Sequence, residues 1–247
     1  MKRILMTAML ALSIMCGATL AEAKTYIVAS DATWPPMEYL DDNKKVVGYS
    51  TDYIQAIAKE MGLNMEVRNV AWDGIFAGVA AGNYDIIASS VTITPERQKQ
   101  FLFSDPYCEI VQALIVPLDS PIKTMQDLKG KKVGGQIGTT GIFVTQKANV
   151  GAVIREYDNV GLAMEDMAQG RIDAVMADAP ISKYYAFKRK DFANKFKVVF
   201  ETKEAEFYGF TLKKGQEDLA KLLNEGIKRV REKGIEKELK IKWMGAE

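Results

Sequence analysis

Arg97 is the cation around which the chemistry of this chain can be built. It stands in the segment 82–107, GNYDIIASSVTITPERQKQFLFSDPY. A short apolar strand, expected over 84–88, empties into Ser89, Ser90 and Thr92, and Arg97 follows in a turn of helix led by Pro95. In open α/β sheets ligands dock in the crevice outside the carboxyl ends of the strands. A guanidinium there presents a planar fork that matches a carboxylate in bidentate fashion. The pattern points to a site for a small carboxylate; a serine-rich turn with a surface arginine is the plain alternative.

The same logic occurs twice. Residues 78–90 read GVAAGNYDIIASS and residues 166–178 read DMAQGRIDAVMAD. Each runs from a helix end through Gly82 or Gly170 to Asp85 or Asp173, and then into an apolar strand that ends in polar groups. The two glycines sit where a helix stops with a left-handed residue. Long-period similarity of this kind suggests two related lobes. The first copy ends in hydroxyls with Arg97 beyond, the second in Asp178, so one lobe offers a cation and the other an anion. A zwitterion bound between two lobes needs that arrangement.

Two further constellations could complete a pocket. Gly138-Thr139-Thr140-Gly141 follows a strand that ends at Gln136, and glycine with hydroxyls at a helix start makes an anion-binding N-terminus. No Gly-Lys-Ser/Thr follows, so it is not a nucleotide P-loop; a plain turn before a helix is the alternative. The segment Asp31-Ala-Thr-Trp34-Pro-Pro-Met-Glu38 follows the first strand, and Trp72 follows another in a similar position. Two such indoles can sandwich the aliphatic or cationic stem of a ligand, although each tryptophan could equally fill core. Trp243 is assigned to packing.

The elements that must position these groups alternate. Strands are expected near 24–30, 65–70, 109–116, 132–136, 152–157, 172–177, 197–201 and 207–212. Helices are expected over 51–61, from Asp73 to Gly82, over 160–169 and 180–188, and from Gln216 onward, where Leu219, Leu222, Leu223, Ile227 and Val230 share one face. Thr124 and Asp127 form a capping-box-like start to a short helix. Alternation of this kind predicts an α/β chain with mainly parallel sheets.

Composition narrows the function. Lys2-Arg3 precede an apolar run from Ile4 to Met15, and Ala21-Glu22-Ala23 provides a small-x-small cleavage signal, so residues 1–23 read as a secretory signal peptide. Met15 before Cys16 suits a lipoprotein cleavage site poorly, so a lipid anchor at Cys16 is the less favoured reading. The chain carries 33 Lys and Arg against 32 Asp and Glu. Loss of Lys2, Arg3 and Glu22 leaves the charges balanced, with no field of one sign to hold nucleic acid or an anionic membrane. Cys108 then stands alone and no internal disulfide is expected. With 0 histidines, Ser-His-Asp and Cys-His chemistry and imidazole metal sites are all excluded. No metal or other cofactor is expected.

Eight segments in order carry a resemblance across the whole mature chain. They are Asp31-x-x-Trp34-Pro-Pro-Met-Glu38, Gly48-Tyr-Ser-Thr-Asp52, Gly82-x-x-Asp85, Thr92-Ile-Thr-Pro-Glu-Arg97, Phe103-Ser-Asp-Pro-Tyr107, Leu128-Lys-Gly-Lys-Lys-Val-Gly134, Gly138-Thr-Thr140 and Gly170-Arg-Ile-Asp173. The chain resembles solute-binding protein family 3, the periplasmic binding proteins for polar amino acids of ABC importers, including those for lysine/arginine/ornithine, histidine and glutamine. The resemblance implies an α/β fold of two lobes, each a mainly parallel sheet flanked by helices, joined by two hinge strands. Lobe one would span 24–111 and 207–247, lobe two 112–206, with crossings near 110–113 and 204–208. It implies a periplasmic, monomeric protein that binds a free amino acid and partners a membrane permease.

Residue by residue, the resemblance gives Arg97 the ligand's α-carboxylate, assisted by backbone N–H groups at Thr92 and Thr140. Asp178 takes the α-ammonium with the Ser90 carbonyl, and Ser89 and Thr139 complete the strand and helix ends. Asp31, Trp34, Trp72 and Gln136 surround the side chain. Asp31 with two indoles favours arginine or lysine, while glutamine or histidine could use Asp31 through a neutral donor. Two departures stand out: the disulfide near the start of some relatives is missing, and Gly141 stands where some carry a longer polar side chain. The same fold also hosts periplasmic cyclohexadienyl dehydratases, for which Asp31, Glu38 and Asp178 would be the candidate acids. A receptor sensor domain is a third class, against which the lack of a later apolar span argues.

Overall fold

The structure is a computed structural model that describes residues 24–192 and 194–245; the expected signal peptide and Cys16 lie outside the described residues. Two five-stranded sheets organise the chain. The first has the order Asn64–Asn69, Thr25–Ser30, Ile86–Ile87, Thr211–Lys213, Phe101–Phe103, and the second Val153–Tyr157, Lys132–Gln136, Ala174–Asp178, Gln112–Pro117, Phe196–Glu201. In each sheet the first three strands are parallel and the fourth runs against both of its neighbours. Four of five strands therefore point the same way, as the mainly parallel expectation requires.

The reversed strand has a geometric cause. Gln112 pairs with Asp178, and Thr211 with Ile87, so each reversed strand enters its sheet at the carboxyl ends of the parallel set. A chain arriving from that end must run backwards. Both arrive from one two-stranded antiparallel ribbon, Cys108–Ile110 with Glu206–Tyr208. The expected strands over 109–116 and 207–212 accordingly each split in two. The second breaks at Gly209, where an added Cβ would lie 2.9 Å from the Ile93 side chain.

Other differences are local. A small sheet of Thr33–Trp34, Glu38–Leu40 and Val46–Val47 follows the first strand and was not legible in its short runs. The helix expected over 180–188 is an α-helical turn, Ala179–Lys183, that widens into a π-helical one, Tyr184–Lys188. The C-terminal stretch forms two helices, Glu217–Glu232 and Ile235–Met244, parted at Gly234 with φ +73°. Leu219, Leu223, Ile227 and Val230 are buried as expected, while Leu222 is only partly so. Each such aliphatic side chain contributes about 1.5–3 kcal/mol on burial. They pack on the helix Tyr49–Met61 so closely that a Cβ on Gly226 would meet Ile57 at 2.4 Å. Among the described residues no helix is long and apolar enough to cross a membrane.

Candidate functional site

The repeated aspartates explain how both halves aim their strands. Asp85 accepts the Ile27 N–H on its carboxylate at 2.8 Å and donates its own N–H to the Ile27 carbonyl at 2.9 Å. Asp173 does the same with Lys132, at 2.7 and 2.8 Å. Each locks the start of one parallel strand to its neighbour. Gly82 and Gly170 precede them at φ +81° and +70°, the left-handed geometry that glycine tolerates best. From these fixed starts the strands deliver Ser89 and Ser90 in one half and Asp178 in the other.

On the first sheet's side, Ser89 Oγ accepts the Asp31 N–H at 2.9 Å. Ser90 holds φ +48°, a left-handed backbone uncommon for serine. Thr94 caps the short helix Pro95–Gln100 by accepting the Arg97 N–H at 3.2 Å. The guanidinium then donates to the Thr92 carbonyl at 2.8 Å and, across the cleft, to the Gly138 carbonyl at 3.0 Å. Its carbon lies 5.2 Å from the Phe76 ring centre and 5.8 Å from that of Trp72. Trp72 also stands edge-on to Phe76 and donates its indole N–H to the Ile137 carbonyl. Part of the cation–π contact expected for a ligand is thus made by the protein's own arginine.

Arg97 is half-buried as a residue, but its charged end is desolvated enough to bring its pKa down to about 10, against the pull of Asp178 and Glu206. Among the described residues no carboxylate lies within ion-pair distance of it. Two of the five guanidinium N–H groups serve backbone carbonyls. The remaining donors and the whole positive charge are left for an anion.

On the second sheet's side, Asp178 ends its strand and is 4% exposed. It accepts from the Trp34 indole at 3.2 Å, from the Tyr208 hydroxyl and from the Gln112 amide. Burial, helped by Glu206, raises its pKa to about 6 although these donors work the other way. Gln136 reaches back to donate to Asp31 at 2.9 Å. Asp31 also accepts from Thr33, yet burial leaves its pKa above the ordinary aspartate value. Thr139 donates its hydroxyl to the Gln136 carbonyl rather than capping, so among the described residues the first-turn N–H groups of the helix Thr140–Ala148 have no side-chain acceptor. The Thr140 and Thr92 hydroxyls meet at 3.3 Å. Gly141 leaves no room for the longer side chain of some relatives, because a Cβ there would lie 2.8 Å from the Met176 carbonyl.

All eleven residues singled out from the sequence line one small cavity: Asp31, Trp34, Trp72, Ser89, Ser90, Thr92, Arg97, Gln136, Thr139, Thr140 and Asp178. Glu38, which closes the Asp31–Glu38 motif, lines it too. The residues behind Asp178, namely Gln112, Tyr208 and Glu206, were missed. Gln112 does leave a trace, as a lone amide at the head of an apolar strand.

A two-lobed α/β protein with a buried cation and a buried anion facing one interlobe cavity is a binding protein in architecture. Residues 26–246 match the bacterial extracellular solute-binding proteins, family 3, and the chain belongs to that family. It is 34% identical over 227 residues to a "Probable histidine-binding protein" of Neisseria gonorrhoeae, covering 91% of this chain and 84% of that one. It is 33% identical over 228 residues to the L-cystine-binding protein TcyJ of Escherichia coli (strain K12), covering 92% and 85%. Among solved structures, the arginine-, lysine-, histidine-binding protein ArtJ of Geobacillus stearothermophilus superposes with a TM-score of 0.85 at 34% identity, covering 91% of this chain and 96% of that one.

Proposed function

We propose that this protein captures a free polar L-amino acid between its two lobes outside the cytoplasm and delivers it to the membrane permease of an ABC importer. One observation carries the reading: Arg97, desolvated and without an ion-pair partner among the described residues, shares the cavity with the buried Asp178. An unpaired buried charge is costly. The carboxylate and ammonium of an α-amino acid relieve both at once, and the N–H groups opening the helix at Thr140 add to the carboxylate's partners. The lobes are 24–111 with 207–247, and 112–206, and the paired strands Cys108–Ile110 and Glu206–Tyr208 are the hinge.

The side chain of the ligand is proposed to be basic, arginine or lysine, received by Asp31, Trp34, Trp72 and Gln136. The buried Asp31 has hydroxyl and amide donors but, among the described residues, no cation as a hydrogen-bond partner, which favours a ligand that brings one. The names of the relatives, which include histidine and cystine, keep the test a panel. Thermal unfolding with each of the twenty amino acids and cystine should show stabilisation by arginine or lysine above all others, since a tight ligand stabilises by mass action. Stabilisation by none of them would sink the reading. An enzyme on this fold would instead turn over prephenate to phenylpyruvate, and no product is expected from that incubation.

A further inference from the structure

Glu38 is the one cavity-lining residue that the capture of an amino acid, as described, does not use. It is fully buried, and its carboxyl has one hydrogen-bonded side: Oε2 accepts from the Ser90 hydroxyl at 2.9 Å. Behind Ser90 the donors run in series. The Tyr107 hydroxyl donates to Ser50 Oγ at 3.0 Å, and Ser50 and Ser90 share a hydrogen bond at 3.1 Å. The chain of hydroxyls ends on Glu38. Its other oxygen, Oε1, is buried and has no partner among the described residues.

An ionised carboxylate does not suit this place. No lysine or arginine hydrogen-bonds to it or pairs with it among the described residues, and its acidic neighbours are Asp31 and Asp178, two more buried carboxylates of the same cavity. A charge there would face two like charges with half of its acceptor capacity unmet, and such a group takes up a proton instead. A neutral carboxyl fits: Oε2 accepts from Ser90 and the proton sits on Oε1, the oxygen without a partner among the described residues. Burial, then the nearby Asp31 and Asp178, keeps the Glu38 pKa well above the usual carboxylate range, against the pull of the Ser90 and Ser50 hydroxyls.

We propose that Glu38 is a positioning residue of the cavity that works as a neutral acid, holding Ser90 in its left-handed backbone through Oε2 and offering the Oε1 proton to an acceptor atom of the bound amino acid. The proposal rests on the amino-acid reading of the cavity, and its test separates the two. Ser90 is the residue whose carbonyl faces the ligand ammonium in that reading, so the grip of Glu38 on its hydroxyl sets where that carbonyl points. A carboxylate in the same place would instead act as a third anion and demand a further cation from the ligand.

The decisive experiment combines infrared spectroscopy of the full chain with calorimetry. Ligand-free protein at neutral pH should show the carbonyl stretch of a protonated carboxylic acid; Asp31→Asn should keep that band and Glu38→Gln should lose it. Absence of the band in the parent, or its persistence in Glu38→Gln, overturns the neutral acid. Against the amino acid that gives the largest thermal shift, Glu38→Gln should bind within about threefold of the parent, because an amide still accepts from Ser90 and still donates. Folded Glu38→Leu should lose about tenfold or more, the loss expected when a buried hydrogen bond goes unmade. Equal loss in both variants overturns the positioning role. If no amino acid binds the parent, the proposed function fails, while the infrared band still decides whether Glu38 holds a proton.

Discussion

The indole N–H of Trp34 donates to the Asp178 carboxylate at 3.2 Å, joining the small sheet after the first strand to the end of a strand in the second sheet. The two residues are far apart in sequence and come from opposite sides of the cleft. Gln136 with Asp31, Thr140 with Thr92, and Gly138 with Arg97 make the same crossing. Residues that line the cleft bridge its two sides, and a ligand that engages both sides is expected to favour closure. Small-angle scattering should therefore give a smaller radius of gyration at saturating ligand than without it. An unchanged profile would refute hinge closure.

Asp178 is expected to make binding pH-dependent. Its folded pKa of about 6 lies above the ordinary value of 3.8, so between about pH 4 and 6 the folded chain holds a proton that the unfolded chain has released. For this group, stability of the ligand-free protein falls as pH rises through that window. A ligand ammonium demands the ionised carboxylate and reverses the preference. Affinity should hold steady above pH 6 and fall below it, approaching about tenfold per pH unit. Calorimetry at about pH 5 and pH 7.5 checks this, and equal affinities would contradict it. Asp178→Asn should bind weakly at both.

Arg97→Ala should fold normally and lose about 2–5 kcal/mol of binding, or roughly 30- to several-thousand-fold in affinity. The helix that carries Arg97 is held by Thr94 and Pro95, through the backbone N–H and not the guanidinium. Near-parent affinity in the folded variant would remove the carboxylate assignment.

Asp31→Asn separates a cationic side-chain pocket from a permissive one. A charge-assisted bond from a basic ligand to Asp31 is worth ~1.5–3 kcal/mol, so arginine should lose at least about tenfold while glutamine changes little. Equal losses would show that Asp31 serves only to order its own turn through Thr33.

Gly48→Ala should be destabilising, because the added methyl meets backbone and not the end of a flexible side chain. Gly48 holds φ +134°, and an added Cβ would lie 2.2 Å from the Met37 carbonyl oxygen. Backbone on the far side of that contact leads straight into Glu38, so the clash cannot be relieved by a rotamer change. A cost of about 2 kcal/mol or more is expected, read as a drop in the thermal midpoint. An unchanged midpoint would mean that the turn is free to move.

Much of the site is written in local sequence, because its residues follow strand ends that a short pattern can place. Gly82 with Asp85 and Gly170 with Asp173 are legible because each pair acts over a few residues: one stops a helix, the other clamps the next strand. Arg97, Ser89, Ser90 and Asp178 lie directly beyond those clamps. The helix start at Thr140 is readable for the same reason, as are the family motifs in their order. What acts through neighbours distant in the chain is not. Glu38 reads from the sequence as a motif residue and candidate acid, and only packing shows that Ser90, with Ser50 and Tyr107 in series behind it, reaches it. Gln112 and Tyr208 reach Asp178 because the hinge ribbon delivers both reversed strands to the cleft end of their sheets. The types and order of the candidate ligating groups are thus local properties of the sequence. Their protonation, their mutual distances and the side of the cleft on which each stands belong to the tertiary structure, because desolvation and cross-cleft hydrogen bonds exist only once the two sheets face each other.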